Sequence, residues 1–463
     1  MPSAVAENEI AVLTDVPCNF YTVDLRKPSN PNQGDVFVLE YDSDHLLSMG
    51  DGAKGRVVLR FGGVKQRIDG AWRSRTAYIG ASGAWVQIST QQEIWGIRID
   101  KNNSDPATRV EYTDAAIGMT PAHMDFDMSE FVWGDWESFV NELACPVMLN
   151  RNGTEAYELD RDNQRKKADG SPSDIANGDF DGDAMVRLKK IYTKAWSDTN
   201  YDYVQFSFDK ISDAFVAYPF VNASGVEQDQ VYLPMFRGYA NVGMRSLANV
   251  KPSVSQTAQT EISLVQQRGN GYYTQYWSIW NLKMQLLWLI GRSTDTQEAF
   301  GYGNCSGDSG PLNTGTLADK GAFWGFREKT KQVKCFWSEG WWGDLNDRIM
   351  GCVSNGGSTV YVKMIPPYST ASSPTDYMQV GSFSYGYLKD ITLSENGMIP
   401  KVTNGGSDLS YFCDYIRLSN YGYATVGGGY DGDVECGASC LYLSYQTGTL
   451  GHAIGASLYY IHP

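Results

Sequence analysis

Several features that would assign the chain to a membrane, secreted or metal-binding class are missing from the sequence. Its 463 residues contain no apolar run of about 18 residues, which a membrane-spanning helix needs, so we expect no membrane insertion. The eight cysteines form no C-x-x-C pair and the four histidines show no ligand spacing, so the sequence predicts neither a metal site nor a disulfide framework. The opening residues MPSAVAENEIAVL lack the basic and apolar regions of a signal peptide, so we expect folding in a reducing cytoplasm.

Positive charge is also scarce. Lysine and arginine number 38 against 53 aspartates and glutamates, which gives a formal net charge of -15. Proteins that bind DNA or RNA neutralise phosphates with basic side chains, so the sequence excludes nucleic acid as a primary ligand. A Gly-rich phosphate loop with its Lys and Ser/Thr partners is absent from the sequence, and we expect no cofactor.

Glycine and aromatic residues, in contrast, are abundant. The chain has 48 glycines and 29 tyrosines, and aromatic residues make up 13% of it. This composition predicts short strands and many turns rather than helical bundles. Tyrosine also provides a large rigid contact surface with a hydrogen-bonding tip, which suits a binding surface.

The first two of three predicted domains are mainly β-structure. Residues 1–122 form the first, because side chains alternate in VFVLEY (36–41), RVVLRF (56–61) and AWVQIS (84–89). Residues 123–235 form an intermediate domain with β-strands. A helix begins it, after a possible cap at Ser129, since apolar residues recur at helical spacing: Phe131, Trp136, Phe139 and Leu143.

The third predicted domain, residues 236–463, contains two helices and short antiparallel strands. The helices cover residues 257–268 and 276–290, and each is followed by a glycine that ends it, Gly269 and Gly291. A stripe on the second helix is expected in the core: Trp277, Trp280, Met284 and Leu287. The chain as a whole is therefore predicted to be a β-rich α+β protein.

Two short motifs resemble functional sites but are better explained as turns. CSGDSGP (305–311) is similar to the nucleophile loop of serine proteases and His123 to their histidine, but the second glycine after Ser309 is missing and the following segment is too long. NGDFDGD (177–183) is similar to a calcium loop, but its twelfth position is Leu188 rather than the closing glutamate. We interpret it as a solvated acidic turn before the strand MVRLKKIY.

Five segments in order resemble the C-type-lectin-fold domain of phage tail receptor-binding proteins. The same fold occurs in the variable proteins of diversity-generating retroelements, such as the major tropism determinant, and in formylglycine-generating enzymes. With a preceding piece (145–192), the resemblance covers roughly residues 145–463. The five segments are VYLPMFRGY, SLANVKPSVSQT, RGNGYYTQYWSIWNLKMQLLWLIGRSTDTQEAFGYG, GAFWGFREKTKQVKCFWSEGWWGDLNDRIMG and GGGYDGDVECGASCLYLSYQTGTLGHAIGASLYY.

Strand alternation in the last segment predicts which of its residues are buried. Leu441 and Leu443 should face the core and Tyr442 and Ser444 the solvent. A second inward series is expected at Ile454, Ala456 and Leu458, while Gly427 to Gly429 permit a sharp entry into the segment. The resemblance places the ligand-contacting residues between these fixed points: Tyr430, Asp431, Asp433, Glu435, Tyr442, Ser444, Tyr445, Thr449 and His452.

The resemblance implies a virion adhesin at the tail tip, made in the host cytoplasm. Its expected partners are a host cell-surface protein or glycan and other tail proteins, with residues 1–122 serving attachment or oligomerisation, as a homotrimer. No catalytic residue is expected in such a protein. Two alternatives stay open: a formylglycine-generating type of enzyme that uses Cys436 and Cys440, and a structural tail or baseplate component without a receptor.

Overall fold

The computed structural model describes residues 93–307, 310–355, 359–369, 371, 374–419 and 421–463, and the backbone of six strands before residue 93. The protein is β-rich with few helices, as predicted for a β-rich α+β chain. The chain divides into two compact units, Met1–Glu93 and Ile94–Pro463. The two predicted domain boundaries, after residues 122 and 235, both lie within the second unit.

The described part of the first unit consists of three antiparallel hairpins, which pair β1 with β2, β3 with β4 and β5 with β6. The strands predicted at residues 36–41 and 84–89 correspond to β2 and β6, and the one predicted at 56–61 lies outside the described residues. The six strands are β1 (Phe20–Arg26), β2 (Gly34–Glu40), β3 (Val64–Ile68), β4 (Ala71–Arg75), β5 (Ala77–Ala81) and β6 (Ala84–Ile88).

The strands of the second unit are short. In chain order they are β7 (Trp95–Asp100), β8 (Val110–Asp114), β9 (His123–Asp125), β10 (Glu130–Val132), β11 (Ala144–Asn150), β12 (Glu155–Glu158), β13 (Gly182–Lys189), β14 (Tyr192–Ser197), β15 (Tyr201–Ser207), β16 (Gln230–Pro234), β17 (Tyr239–Asn241), β18 (Gly243–Arg245), β19 (Tyr272–Tyr273), β20 (Lys334–Cys335), β21 (Ser338–Glu339), β22 (Asn346–Asn355), β23 (Thr359–Val362), β24 (Met378–Ser382), β25 (Gly386–Tyr387), β26 (Asp390–Ser394), β27 (Gly397–Val402), β28 (Tyr415–Leu418), β29 (Tyr423–Val426), β30 (Leu441–Tyr445), β31 (Ile454–Gly455) and β32 (Tyr459–Ile461).

Three larger sheets connect distant parts of the second unit. A four-stranded sheet has the order β14-β15-β7-β8, and a six-stranded sheet has the order β12-β11-β13-β16-β32-β19. The eight-stranded sheet runs β24-β23-β22-β29-β30-β28-β25, and β31 pairs in parallel with β22. Because β32 pairs with β16, the carboxyl terminus is held by a strand from the middle of the chain.

The described residues contain four α-helices, and the first of them differs from the prediction. The predicted helix from Ser129 onward is wrong: Phe131 lies in β10, and the helix is only seven residues long. Gly134 explains the interruption, since its φ is +54° and a Cβ atom there would lie 2.2 Å from the Thr120 carbonyl oxygen. The helices are α1 (Glu137–Leu143), α2 (Ala258–Gln266), α3 (Trp277–Gly291) and α4 (Thr296–Phe300).

The helices α2 and α3 confirm the two predicted from residues 257 and 276 onward. Thr257 caps α2, its side chain accepting the backbone N–H of Thr260. Helix α3 is buried on every side, including its polar residues Ser278, Asn281, Lys283 and Gln285. The predicted core stripe is confirmed, because Trp277, Trp280, Met284 and Leu287 are all buried. None of the helices of the described residues is long and apolar enough to span a membrane.

The acidic turn before β13 is solvated only in part. Asp179 and Asp181 are exposed, but Asp183 is fully buried, which the sequence did not predict. Arg245 Nε lies 3.0 Å and Arg268 Nη2 2.8 Å from the Asp183 carboxylate. A buried charge needs such partners, so Asp183 connects the turn to β18 and the end of α2. Among the described residues, no group of three or more His, Cys, Asp or Glu side chains is arranged to hold a metal ion.

Candidate functional site

One end of the eight-stranded sheet is formed by β30, β28 and β25, where β30 lies beside β28 and β28 beside β25. In this register Arg417 is opposite Tyr442, and Tyr415 is opposite Tyr387. Because side chains alternate across a strand, all four residues lie on the same side of the sheet. We call this side, together with the loop of residues 427–440, the carboxyl-terminal face.

The opposite side of these strands is packed into the core. Ile416 is opposite Leu441 in the parallel pair of β28 and β30, and both are completely buried. The inward residues predicted from the alternation of the last two strands are confirmed as buried: Leu441, Leu443, Ile454, Ala456 and Leu458. The carboxyl-terminal face therefore rests on close-packed apolar side chains, which fix its backbone.

Tyr442 departs from the prediction. It lies on the predicted side of β30, but the prediction that it is exposed is wrong, since only 4% of the residue is accessible. Its hydroxyl donates to Glu435 Oε2 at 2.6 Å, and the guanidinium of Arg417 lies 4.9 Å from its ring centroid. Burial and the nearby Cys440 and Glu435 raise the pKa of Tyr442 far above its usual range, so the phenol keeps the proton that it donates.

Arg417, which the sequence reasoning missed, connects the aromatic residues of the face. Its guanidinium hydrogen-bonds Glu435 and lies over the rings of Tyr415 and Tyr442, at 5.4 Å and 4.9 Å. Tyr387 continues the row with its ring centroid 5.0 Å from that of Tyr415, edge to face. We call these four residues, Tyr387, Tyr415, Arg417 and Tyr442, the carboxyl-terminal ladder; cation–π and edge-to-face contacts hold it together.

The charges around the ladder hold its members in place. Burial lowers the pKa of Arg417, but the hydrogen bond to Glu435 and neighbouring charges outweigh burial and raise the pKa overall. Burial, followed by Asp408 and Glu435, raises the pKa of Tyr387 to about 12. The arginine is therefore charged and the tyrosines are protonated at neutral pH, so the face presents hydroxyl donors beside a half-exposed cation.

The acidic residues of the loop lie at its exposed edge. Asp431 and Asp433 are exposed, and Glu435 is half-buried. Lys329 Nζ lies 2.8 Å from Asp433 Oδ1, so the charge of Asp433 is paired, as Arg417 pairs that of Glu435. The loop is an acidic rim that two basic side chains from other segments partly neutralise.

The remaining predicted site residues lie around this rim. Tyr430 and His452 meet through the hydroxyl and Nδ1, 2.7 Å apart. Tyr445, the last residue of β30, is half-buried, and burial and the charge of Asp431 raise its pKa. Thr449 belongs to a turn, where its hydroxyl accepts the backbone N–H of Gln446 at 3.0 Å. Eight of the nine predicted residues are thus exposed or half-buried: Tyr430, Asp431, Asp433, Glu435, Ser444, Tyr445, Thr449 and His452.

The glycines at the start of the loop have the role that the sequence predicts. Gly428 has a φ of +76°, in the left-handed region, and a Cβ atom there would lie 2.4 Å from Cys436 Sγ. At the far end of the loop, the Trp280 indole on α3 donates to the Ala438 carbonyl oxygen at 3.0 Å. The loop is therefore anchored at both ends against the core.

Of the two catalytic motifs considered in the sequence, the structure bears only on the cysteine pair, because Ser309 of the protease-like motif lies outside the described residues. A hydrogen bond with Cys305 and burial raise the pKa of Cys436, and burial and Asp414 raise that of Cys440. Both thiols are held in the protonated form, which disfavours chemistry that requires a reactive thiolate.

Comparisons of the sequence with protein-family models and with curated proteins found no relative. No protein-family model matches the chain, and no curated protein matches it significantly. The resemblance to phage tail receptor-binding proteins therefore stays a prediction from the sequence.

Proposed function

We propose that the protein is a receptor-binding protein of a phage tail tip, whose carboxyl-terminal face contacts a protein or glycan on the host surface. The observation that carries this proposal is the division of β28 and β30 between a buried apolar side and a polar, tyrosine-rich side. The proposal includes the C-type-lectin-like fold of the last domain and a tail-attachment role for residues 1–122.

The composition of the face supports binding. Tyrosine and arginine are enriched among residues that contribute most to the affinity of protein interfaces. Here Arg417 is held by Glu435 and by two tyrosine rings, so little side-chain freedom remains to be lost when a ligand binds. Rigid tyrosines on a fixed scaffold beside adaptable loop residues are also the arrangement found in antibody paratopes.

The residues at the rim of the face can vary without loss of the core. Asp431, Asp433 and His452 are exposed, whereas the leucines of β30 are buried. Exchange of exposed residues on a rigid scaffold changes ligand choice at little cost in stability. Weak contacts at one face would gain avidity in a trimer, which is the assembly that the resemblance implies.

Surface plasmon resonance of the full chain against host envelope fractions tests the proposal. We expect the double variant Tyr430→Ala with Tyr445→Ala to lose at least about tenfold in affinity, because Tyr430 lies in the loop of the face, Tyr445 ends β30 next to Ser444, and both are half-buried. Tyr442 is left unchanged, since truncating a buried tyrosine would damage the fold. Circular dichroism checks that the variant is folded.

The control removes two half-buried tyrosines from a different sheet, Tyr201→Ala with Tyr203→Ala on β15. We expect this control to bind like the unchanged protein. Equal losses in both double variants, or full binding by the variant of the face, would contradict the proposal.

A further inference from the structure

The turn of residues 446–449 carries one of the residues predicted to contact a ligand, and it lies against the start of α2. The N–H of Ala258, the first residue of that helix, donates to the Thr447 carbonyl oxygen at 2.9 Å. Just before the helix, the N–H of Ser255 donates to the Gly451 carbonyl oxygen at 3.0 Å. Two backbone hydrogen bonds therefore connect the turn and the residues after it to a segment that is distant in sequence.

A buried arginine on β22 adds a third connection from inside the protein. The Nη2 of Arg348 donates to the backbone carbonyl oxygen of Thr449 at 3.2 Å and to that of Gln256 at 3.4 Å. Its Nε lies 3.0 Å from Glu261 Oε2 on α2, and only 3% of the arginine is exposed. One guanidinium group thus contacts the turn, the segment before α2 and α2 itself, which its planar fork of N–H donors permits.

The contact between Arg348 and Glu261 is an expensive way to fill this part of the core. Among the described residues, Arg348 Nη1 and Glu261 Oε1 are buried without a hydrogen-bond partner. Burial raises the pKa of the Glu261 carboxyl to about 8, although the charge of Arg348 opposes the shift, so desolvation outweighs their attraction. Apolar residues of similar volume are often at least as stable as such a pair. Departures of this kind from good packing are expected where a site must be held in one geometry.

We propose that Arg348 is a positioning residue for ligand binding, because its hydrogen bond to Thr449 fixes the turn 446–449 in one conformation before a ligand binds. The exposed residues that follow the turn, Leu450 and His452, start from the same fixed backbone. A turn that is already ordered loses less conformational entropy when it is contacted. The role in ligand binding rests on the proposed function, whereas the order of the turn does not.

Hydrogen–deuterium exchange of the full chain, read by mass spectrometry, measures the order of the turn without any ligand. The double variant Arg348→Met with Glu261→Gln removes the guanidinium and leaves no charge of the pair behind. Peptides that cover residues 446–451 should exchange at least about tenfold faster, while peptides of β7 and β15 keep their rates. Glu261→Gln alone is the matched control, because it keeps the bond from Arg348 to Thr449, and its turn should stay protected. Arg348→Lys keeps the charge without the fork, and it serves as the second variant if the double variant does not fold.

Surface plasmon resonance against host envelope fractions then measures the consequence for binding. Both arginine variants should lose at least about fivefold in affinity, and Glu261→Gln should bind like the unchanged protein. Equal acceleration of exchange in all peptides would overturn the proposal, since Arg348 would then only stabilise the fold. A turn that stays protected, or full affinity, in both arginine variants would overturn it as well. If the unchanged protein binds no envelope fraction, the proposed function fails and the exchange result still stands.

Discussion

Two sheets of the second unit place an arginine on a tyrosine ring and beside a glutamate. On the four-stranded sheet, Arg98 lies 4.7 Å from the centroid of Tyr201 and its Nε donates to Glu111 at 3.0 Å. A stacked pair, Trp196 and Tyr203, continues this row with ring centroids 4.7 Å apart. We call these five residues, Arg98, Glu111, Trp196, Tyr201 and Tyr203, the strand ladder; like the carboxyl-terminal ladder, it combines an arginine with tyrosine rings.

The two ladders differ in where the glutamate comes from. Glu111 is opposite Arg98 in the pairing of β7 and β8, and 44% of its side chain is exposed. Glu435 comes from the loop and has only 23% of its side chain exposed, and it also holds the buried Tyr442. An exposed ion pair contributes little to stability, whereas one that a loop partly encloses fixes its neighbours. The loop, more than the residue types, makes the carboxyl-terminal ladder rigid.

Disrupting the loop of residues 427–440 should have the largest effect on the free energy of unfolding. We expect Gly428→Ala to lower the free energy of unfolding by about 3 kcal/mol, because the residue is left-handed and the new Cβ would lie 3.0 Å from the Cys436 Cα. Urea denaturation measures this change. The strand ladder should survive, since its contacts lie on β7, β8, β14 and β15.

Gly448→Ala is the matched control. A Cβ atom at Gly448 meets nothing within 4 Å, so this variant should unfold at nearly the same urea concentration as the unchanged protein. Equal stability of both glycine variants would show that the loop does not depend on its left-handed entry.

A buried carboxylate, that of Asp202, lies on β15 next to the strand ladder. Its titration should have the second-largest effect on stability. Burial raises the pKa of Asp202 to about 6, from 3.8 in the unfolded chain, against the effects of Ser197 and Lys101. The folded protein holds this proton up to about pH 6, while the unfolded chain releases it near 3.8. The contribution of Asp202, up to about 3 kcal/mol, is therefore present below pH 4 and lost as the pH rises to about 6.

Unfolding of the unchanged protein and of Asp202→Asn, measured by urea from pH 4 to pH 7, isolates this contribution. The amide cannot titrate, so the difference in stability between the two proteins should change across this range. If that difference is constant with pH, the folded protein does not retain the proton of Asp202.

The features that the sequence predicted are local ones. Helix α2 follows from the periodicity of its apolar residues, and the burial of Leu441 and Leu443 follows from the alternation of one strand. The burial of Tyr442 depends on a parallel pairing of β30 with β28 and on a loop contact, neither of which spacing encodes. Alternation in β28 does place Tyr415 and Arg417 on one side, but their partner strand cannot be inferred from it.

Removing one tyrosine hydroxyl from each ladder should have a smaller effect on the free energy of unfolding. Tyr442→Phe deletes the buried bond to Glu435 and should cost about 1 kcal/mol, measured by urea denaturation. Tyr203→Phe is the counterpart on the strand ladder, where the hydroxyl donates to the Asp198 carboxylate at 3.0 Å in an exposed position. It should cost less than about 0.5 kcal/mol. Similar losses in the two variants would remove the distinction between a loop-enclosed and an open ladder.

Deleting the arginine of the strand ladder should have the smallest effect. We expect Arg98→Ala to change the free energy of unfolding by less than about 0.3 kcal/mol, and less again at high salt, because its ion pair with Glu111 is exposed and screened. Arg417→Ala removes a guanidinium that covers a buried tyrosine, so part of its larger loss should persist at high salt. Urea denaturation of both variants at low and high salt separates these contributions. A loss for Arg417→Ala that salt abolishes would mean that Arg417 acts only as a surface charge, as Arg98 does.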